Sequence, residues 1–493
     1  MNPVPSIRVR ALNERPVQEG DYVLYWMVAC RRPRWSFALQ HAAARAAELD
    51  KPLVVLEALR VGYPWASDRL HRFILDGMRA NREWLGNRNA VYYPYVEPEE
   101  GAGRGLLAAM AKDACLVVSD DYPAFFIPRM QSAAADRIDA RLEVVDSNGL
   151  LPMRASDKVF SRAFDFRRFL QKTLPAHLDA QPLEDPLADL PPLPNGFENK
   201  LRSRSSAWPE ASGDALAGDT LANLPIDHSV PPVDFEGGFE AGEQHMFDFL
   251  DGAFSRYAED RNHPDDGSAS GLSPWLHFGH LSPHQIFREI AANEGWSIDR
   301  LAAKPNGARE GWWGMSENAE AFLDELVTWR EVGFNMCSHN PRYDQYESLP
   351  EWAKKSLAEH EADPRAHLYT LEELEQADTH DHVWNAAQSE LIQTGRMHNY
   401  LRMLWGKRIL EWSPTARDAL ATMIELNNKY AVDGRDPNSY SGIFWVLGRY
   451  DRAWGPERPI FGKIRYMSSA NTLRKLRMND YLARFGAQAE LFD

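Results

Sequence analysis

At 493 residues with 44% hydrophobic content, the chain can hold two or three domains and bury large cores, so it reads as globular. Its 55 Lys and Arg against 71 Asp and Glu give a net charge of −16, which argues against a surface that coats nucleic acid throughout. Charge is local, however: from Phe444 to Asp493 nine basic residues stand against five acidic ones, enough for one basic face on an acidic body. Cys30, Cys115 and Cys337 are far apart and form no CxxC pair, so reduced buried thiols are expected rather than a disulfide framework or a zinc site. The opening Met1-Asn-Pro-Val-Pro-Ser-Ile-Arg lacks the apolar core of a signal peptide, and no run of about 18 apolar residues follows. A soluble, cytoplasmic protein with no membrane partner is expected.

In chain order, short apolar runs at 22–26, 53–57, 91–96, 114–118 and 142–145 alternate with amphipathic helical patterns at 35–49, 69–84 and 105–111. Continuous apolar strands between helices predict a parallel sheet covered on both faces, an open α/β domain of about five strands. Ligands of such sheets sit beyond the carboxyl ends of the strands, here near 27–32, 58–63 and 119–122. No GxGxxG is present. Residues 156–178 look helical, and then nine prolines fall between Pro182 and Pro232 among scattered Ser, Gly and Asp. Neither helical nor strand period fits that stretch. The expected division is an α/β domain over 1–178, a linker over 179–241 and an all-α domain over 242–493. Helical patterns in the last run over 244–257, 283–293, 319–332, 350–361, 371–377, 381–394, 397–412 and 416–426.

Chemistry-bearing residues gather in the second half. Trp405 and Trp412 are seven apart on one predicted helix, and Arg402 precedes Trp405 by three, so two indoles and a guanidinium share a face. Together with Trp384, Trp445, Trp454 and the Asn/Asp-rich turn at 426–438, they suit either a Trp-rich core or a planar, partly charged cofactor. Ser268-Ala-Ser-Gly-Leu-Ser-Pro274 is a helix cap or a phosphate cradle. Glu325 and Trp329 lie one turn apart on an apolar helix, as a satisfied buried acid or as a ligand contact. His277 and His280 have a metal-compatible spacing but no third ligand, and core or cap histidines are expected. No acid–base pair or nucleophile motif is visible, so the chemistry is expected to come from a cofactor.

Several motifs in order resemble class II cyclobutane pyrimidine dimer photolyases, within the photolyase/cryptochrome family. They are Trp384-Asn-Ala-Ala-Gln, Met397-His-Asn-Tyr-Leu-Arg-Met-Leu-Trp, Asp433-Gly-Arg-Asp-Pro-Asn, Asp451-Arg-Ala-Trp and Arg458-Pro-Ile-Phe-Gly-Lys-Ile-Arg-Tyr-Met467, with Leu24-Tyr-Trp-Met27 in the first half. The resemblance implies a Rossmann-like α/β domain joined to a helical FAD domain, and light-driven repair of dimers in UV-damaged DNA by a monomeric carbon–carbon lyase. The flavin would act as its fully reduced anion, FADH−, lending an electron to a flipped-out dimer. An antenna chromophore, a deazaflavin or folate, is implied for the α/β domain.

Residue by residue, the resemblance places Tyr257, Ser270, Gly271, Leu272 and Ser273 around the FAD phosphates, and Asn399, Arg402, Asn427 and Asp433 around the flavin ring. Trp405, Trp384 and Trp412 would be the proximal, middle and distal members of a chain that photoreduces the flavin from solvent. Arg261, Asn262, Glu325, Trp329, Met403, Trp445 and Trp454 would meet the lesion, and Lys463 and Arg465 the DNA backbone, with Arg474, Lys475 and Arg477 as further candidates. The chain departs from the family pattern at Asn399, at an inserted Pro456, and in a stretch one residue short between Trp445 and Asp451, which puts the shape of the DNA-wedging loop in question. A cryptochrome-like photoreceptor without repair is the alternative, and retention of Glu325, Trp445 and Trp454 counts against it. Repair of (6-4) photoproducts would need a His pair, and a nicotinamide-linked flavoenzyme would need a dinucleotide fingerprint; neither is seen.

Overall fold

A computed structural model describes residues 3–486; Met1, Asn2 and residues 487–493, including Glu490 and Asp493 of the charge count, lie outside the described residues. The chain forms two compact units that interleave along the sequence. One comprises the residues up to Ala155, Leu174–Met246 and Leu272–Ala292; the other comprises Ser156–Thr173, Phe247–Gly271 and the residues from Asn293 onward.

The first unit is built on a six-stranded sheet of order β1-β6-β5-β2-β3-β4, with β1 Val9–Ala11, β2 Tyr22–Met27, β3 Leu53–Leu59, β4 Ala90–Val96, β5 Ala114–Asp120 and β6 Arg141–Val145. β2 to β6 are parallel, and their apolar runs are buried almost without interruption because helices cover both faces. The helices are α1 Phe37–Leu49, α2 Asp68–Leu85, α3 Leu106–Lys112 and α4 Ile127–Arg137. The five expected strands and three expected helices are all present. β1, a three-residue antiparallel edge, and α4, which buries only Gln131 and Ala135, are additions. Neither is long or apolar enough to show a period.

The chain leaves β2 for β3 and returns as β5 on its other side, which makes the carboxyl ends of β2 and β5 the place where such sheets take ligands. Here Asp120 fills it. Its carboxylate accepts N–H bonds from Val28, Ala29 and Cys30 at 2.8, 2.8 and 3.0 Å and the Tyr25 hydroxyl at 2.6 Å.

Residues 179–241 have more structure than their composition suggested. They contain helices Phe197–Arg204 and Gly213–Ala217, and Leu216, Leu221 and Leu224 are buried with Leu59, Ile74, Leu75 and Met78. Isolated leucines among prolines carry no period, yet each contributes about 1.5–3 kcal/mol when buried. His280 is buried, and its Nδ1 accepts the Gly238 N–H at 2.9 Å.

The second unit is helical. Its elements used below are α5 Ala163–Thr173, α6 Glu317–Leu323, α7 Arg330–His339, α8 His382–Thr394, α9 Asn399–Trp412, α10 Ala416–Tyr430 and α11 Pro437–Val446. Among the described residues no helix is long and apolar enough to cross a membrane.

Candidate active site

α6 does not pass into α7 as one α-helix. Asp324–Trp329 forms a π-helical turn, closed by Arg330 N–H on the Glu325 carbonyl. Such turns carry one residue more than an α turn and recur at functional sites. Neighbouring carboxylates on it meet different surroundings. Asp324 is buried and takes Arg167 of α5 bidentately at 2.6 and 2.9 Å. Glu325, its side chain 31% exposed, accepts from Arg261 at 2.7 Å. Burial lifts the Glu325 carboxyl above the usual carboxylate range, and the Arg261 guanidinium pulls it partly back. Arg261 also lies 5.4 Å from the ring of Tyr257, which is buried against Phe249 and Phe322.

Glu325 and Trp329 share the wall of a cavity of about 800 Å³ with Asn399, Arg402, Met403, Trp445, Trp454 and Arg465. Asn399, Arg402 and Met403 follow the i, i+3, i+4 spacing of one α9 face. Arg402 forks onto Asp433 at 3.2 and 3.0 Å. Asn427, buried near the end of α10, does not line the cavity itself; its amide donates to Ser439, which does, at 2.9 Å, and to Asn428 at 3.1 Å. The turn between α10 and α11 is close-packed: a Cβ on Gly434 would stand 2.8 Å from the Asn427 carbonyl oxygen. Asp436 then caps α11 by accepting the Asn438 N–H at 2.7 Å.

α11 was not expected from the sequence, and it delivers Trp445. Lys407, fully buried on α9, donates to the Val446 carbonyl at 2.5 Å and lies 5.0 Å from the Trp445 ring; burial lowers its ammonium to about 7. The Arg465 guanidinium sits 5.6 Å from the Trp445 ring and 5.0 Å from the Trp454 ring. Trp454 is held by Nε1–H to Asp451 at 3.1 Å and by its backbone N–H to the Lys463 carbonyl at 2.9 Å. In the short loop between the two indoles Arg449 and Tyr450 turn inward: Arg449 donates to the Tyr343 carbonyl and Tyr450 to the Val332 carbonyl.

Away from the cavity lining stand three buried indoles. Trp384 Nε1–H donates to the Trp405 carbonyl at 3.0 Å, Trp405 Nε1–H donates to Gln388 at 2.9 Å, and the Trp384 and Trp412 rings lie 5.6 Å apart, edge to face. Trp412 is the distal member that the resemblance implies. It is only 2% exposed, covered by Tyr369 and His380, each 5.3 Å from its ring, because the segment before α8 folds across the end of α9.

A photo-lyase from Methanothermobacter thermautotrophicus, "Deoxyribodipyrimidine photo-lyase", is 35% identical over 482 residues, covering 97% of each chain. One of the same name from Oryza sativa subsp. japonica is 34% identical over 496 residues, 97% of this chain and 90% of that one. The chain belongs to the deoxyribodipyrimidine photo-lyase family. No protein-family model matches it. The crystal structure of a bacterial class III photolyase from Agrobacterium tumefaciens shares the fold, with a TM-score of 0.62 at 16% identity over 95% of this chain and 87% of that one.

Several residues named from the photolyase resemblance lie outside the cavity lining. Asn262 is exposed on the surface, and Lys463 pairs with Glu457 at 3.2 Å. Ser270 and Gly271, with Gly271 at φ +62°, end the Phe247–Gly271 segment of the helical unit; Leu272 is buried and Ser273 opens the short helix Ser273–His277 in the other unit. Conversely, Arg162, Phe164, Arg309, Asn438, Ser439 and Arg452 line the cavity unforeseen. Arg452 and Asn438 lay within quoted motifs, whereas Arg162 and Phe164 precede Glu325 by some 160 residues and gave no local signal.

Proposed function

We propose that the protein repairs cyclobutane pyrimidine dimers in UV-damaged DNA with light, as the class II members it resembles do. The observation that supports this reading is the cavity that sets Arg402, itself paired with Asp433 behind it, one carboxyl group of raised pKa and three indoles around a single space. FAD, when bound in its reduced anionic form, supplies an electron under blue light and recovers it after the dimer has split. The residues present fit a flavin. Arg402 offers a cation already oriented by Asp433, Ser439, held by the Asn427 amide, offers a polar group, and a Cβ on Gly442 would meet only Met403 Cε at 3.7 Å, so the wall is open to a flat ring. Tyr257 and the stretch Ser270-Gly-Leu-Ser273 would hold the phosphates.

The chain's own groups then divide the work. Trp445 and Trp454 offer faces to an extruded dimer, a contact worth about 1–3 kcal/mol per base. A covalently joined, badly stacked pair costs less to extrude than normal bases. Glu325, whose carboxyl burial shifts upward against the pull of Arg261, stands where a pyrimidine edge would lie and can hydrogen-bond it. Trp405, Trp384 and Trp412 would pass an electron inward to an oxidised cofactor. The same resemblance assigns the α/β unit an antenna, a deazaflavin or folate, which a second absorption band in purified protein would reveal.

The test uses chemically reduced protein and dimer-containing oligothymidine. Thymine absorbance recovers under blue light and stays flat in the dark. Protein that shows a flavin spectrum yet gives no recovery would move the reading to a photoreceptor.

A further inference from the structure

Resting on the reading that dimer-bearing DNA is the substrate, we propose that Phe164 enters the duplex step vacated by the extruded dimer and stacks on the bases left without neighbours there. Single exposed apolar side chains are common, so position rather than exposure has to carry the argument. Among the large apolar side chains that are exposed in the described residues, Phe164 is the one that lines the cavity, with 49% of its surface open. Its ring is backed by Gly307, where a Cβ would stand 2.9 Å from the ring carbon Cε2. Gly307 has φ +76°, so glycine meets both the strained backbone and the close approach.

The ring is also mounted on a fixed element. It lies in the first turn of α5, which the buried Arg167–Asp324 pair ties to the π turn bearing Glu325 and Trp329. Arg162, two residues earlier, bridges by its backbone to Tyr450, in the loop that leads to Trp454. Phe164 therefore belongs to the same wall assembly as the residues that would hold the dimer. Arg162, Arg309, Arg452 and Arg465 line the cavity with it, the charge a phosphate backbone requires.

An intact duplex offers such a ring nothing, because base faces are hidden in the stack. They become available where a step has been opened, and apolar wedges are a known way of filling one. The loop between Trp445 and Trp454 is not equipped for this: Arg449 and Tyr450 are buried, and Arg452 and Ala453 are its exposed side chains.

Dark binding of the full holoprotein to three fluorescent probes tests the idea: a duplex with one thymine dimer, the same dimer in a single strand, and an undamaged duplex. Phe164→Ala weakens binding to the dimer duplex by about tenfold, the scale of one lost stacked base, and changes single-strand binding little. Phe164→Leu retains most of the affinity, since leucine also wedges. 2-Aminopurine opposite the dimer becomes brighter in the Phe164→Ala complex than in wild type. Equal losses on duplex and single strand, or no loss on either, would overturn the proposal while leaving dimer recognition in place. Wild-type protein that binds dimer and undamaged duplex alike would overturn both.

Discussion

Two groups of three indoles stand in the helical unit, and their surroundings differ. Trp405, Trp384 and Trp412 are 2%, 0% and 2% exposed, and the first two direct their N–H groups at neutral oxygens. Trp329, Trp445 and Trp454 line a cavity, and Arg452 and Arg465 lie over the last two rings. A nearby cation opposes removal of an electron from an indole, whereas an oxygen accepting its N–H favours it. Of the buried group, Trp412 has a guanidinium near it, Arg408 at 5.8 Å, and that charge is answered by Asp381 and Glu411. One residue type is thus divided by its neighbours into members suited to carry an electron and members suited to present a face.

The sharpest way to break this division is to cross the two assays. Trp405→Phe nearly abolishes blue-light reduction of oxidised flavin, read as bleaching with an external thiol, and leaves repair by chemically reduced protein intact. Trp445→Ala does the reverse: dimer affinity falls by about 1–3 kcal/mol, the value of a stacked base, while photoreduction runs at the wild-type rate. If either variant loses both activities with its flavin spectrum intact, the two groups are not separate. Arg465→Gln removes the cation shared by Trp445 and Trp454 and weakens dimer binding by about 0.5–2 kcal/mol in a titration.

The smallest effect is one of stability. Burial depresses Lys407 from 10.5 to about 7, with Asp451 opposing that shift and Arg465 reinforcing it. Between those values the unfolded chain holds a proton that the folded one has released, so stability rises with pH across that window. Lys407→Met abolishes this slope. Relative to wild type it gains at most about 1.4 kcal/mol for each pH unit lowered from 10 toward 7. Denaturant melts at pH 7 and 9 check it, and parallel shifts of both proteins would mean that Lys407 stays charged.

Where period was strong, the sequence revealed the elements. The parallel strands, α9 with Arg402, Trp405 and Trp412, and α8 with Trp384 lie where apolar spacing put them, within a few residues. The resemblance named eight residues of the cavity wall, among them Glu325, Arg402, Trp445 and Trp454. What escaped has physical reasons. A π turn differs from an α turn by one residue, and the spacing of Glu325 and Trp329 suits either. α11 begins at Asp436-Pro437, which reads equally well as the end of a turn. The cover over Trp412 comes from Tyr369 and His380, on a segment with no marked pattern. Phe164 and Arg162 reach the cavity through tertiary packing alone.

The π turn makes the helical unit behave like a vernier. Were Asp324–Trp329 to wind as α-helix with every residue kept, everything after it would be rotated by about 100° against everything before it. Asp324 would still be clamped by Arg167, but Trp329 would swing off the wall that Glu325 occupies, and the buried side chains of α7, Val332 and Phe334 among them, would face the wrong neighbours. The wide turn works as a phase setting, absorbing one surplus residue. It keeps the face that reads the lesion in step with the face that builds the core.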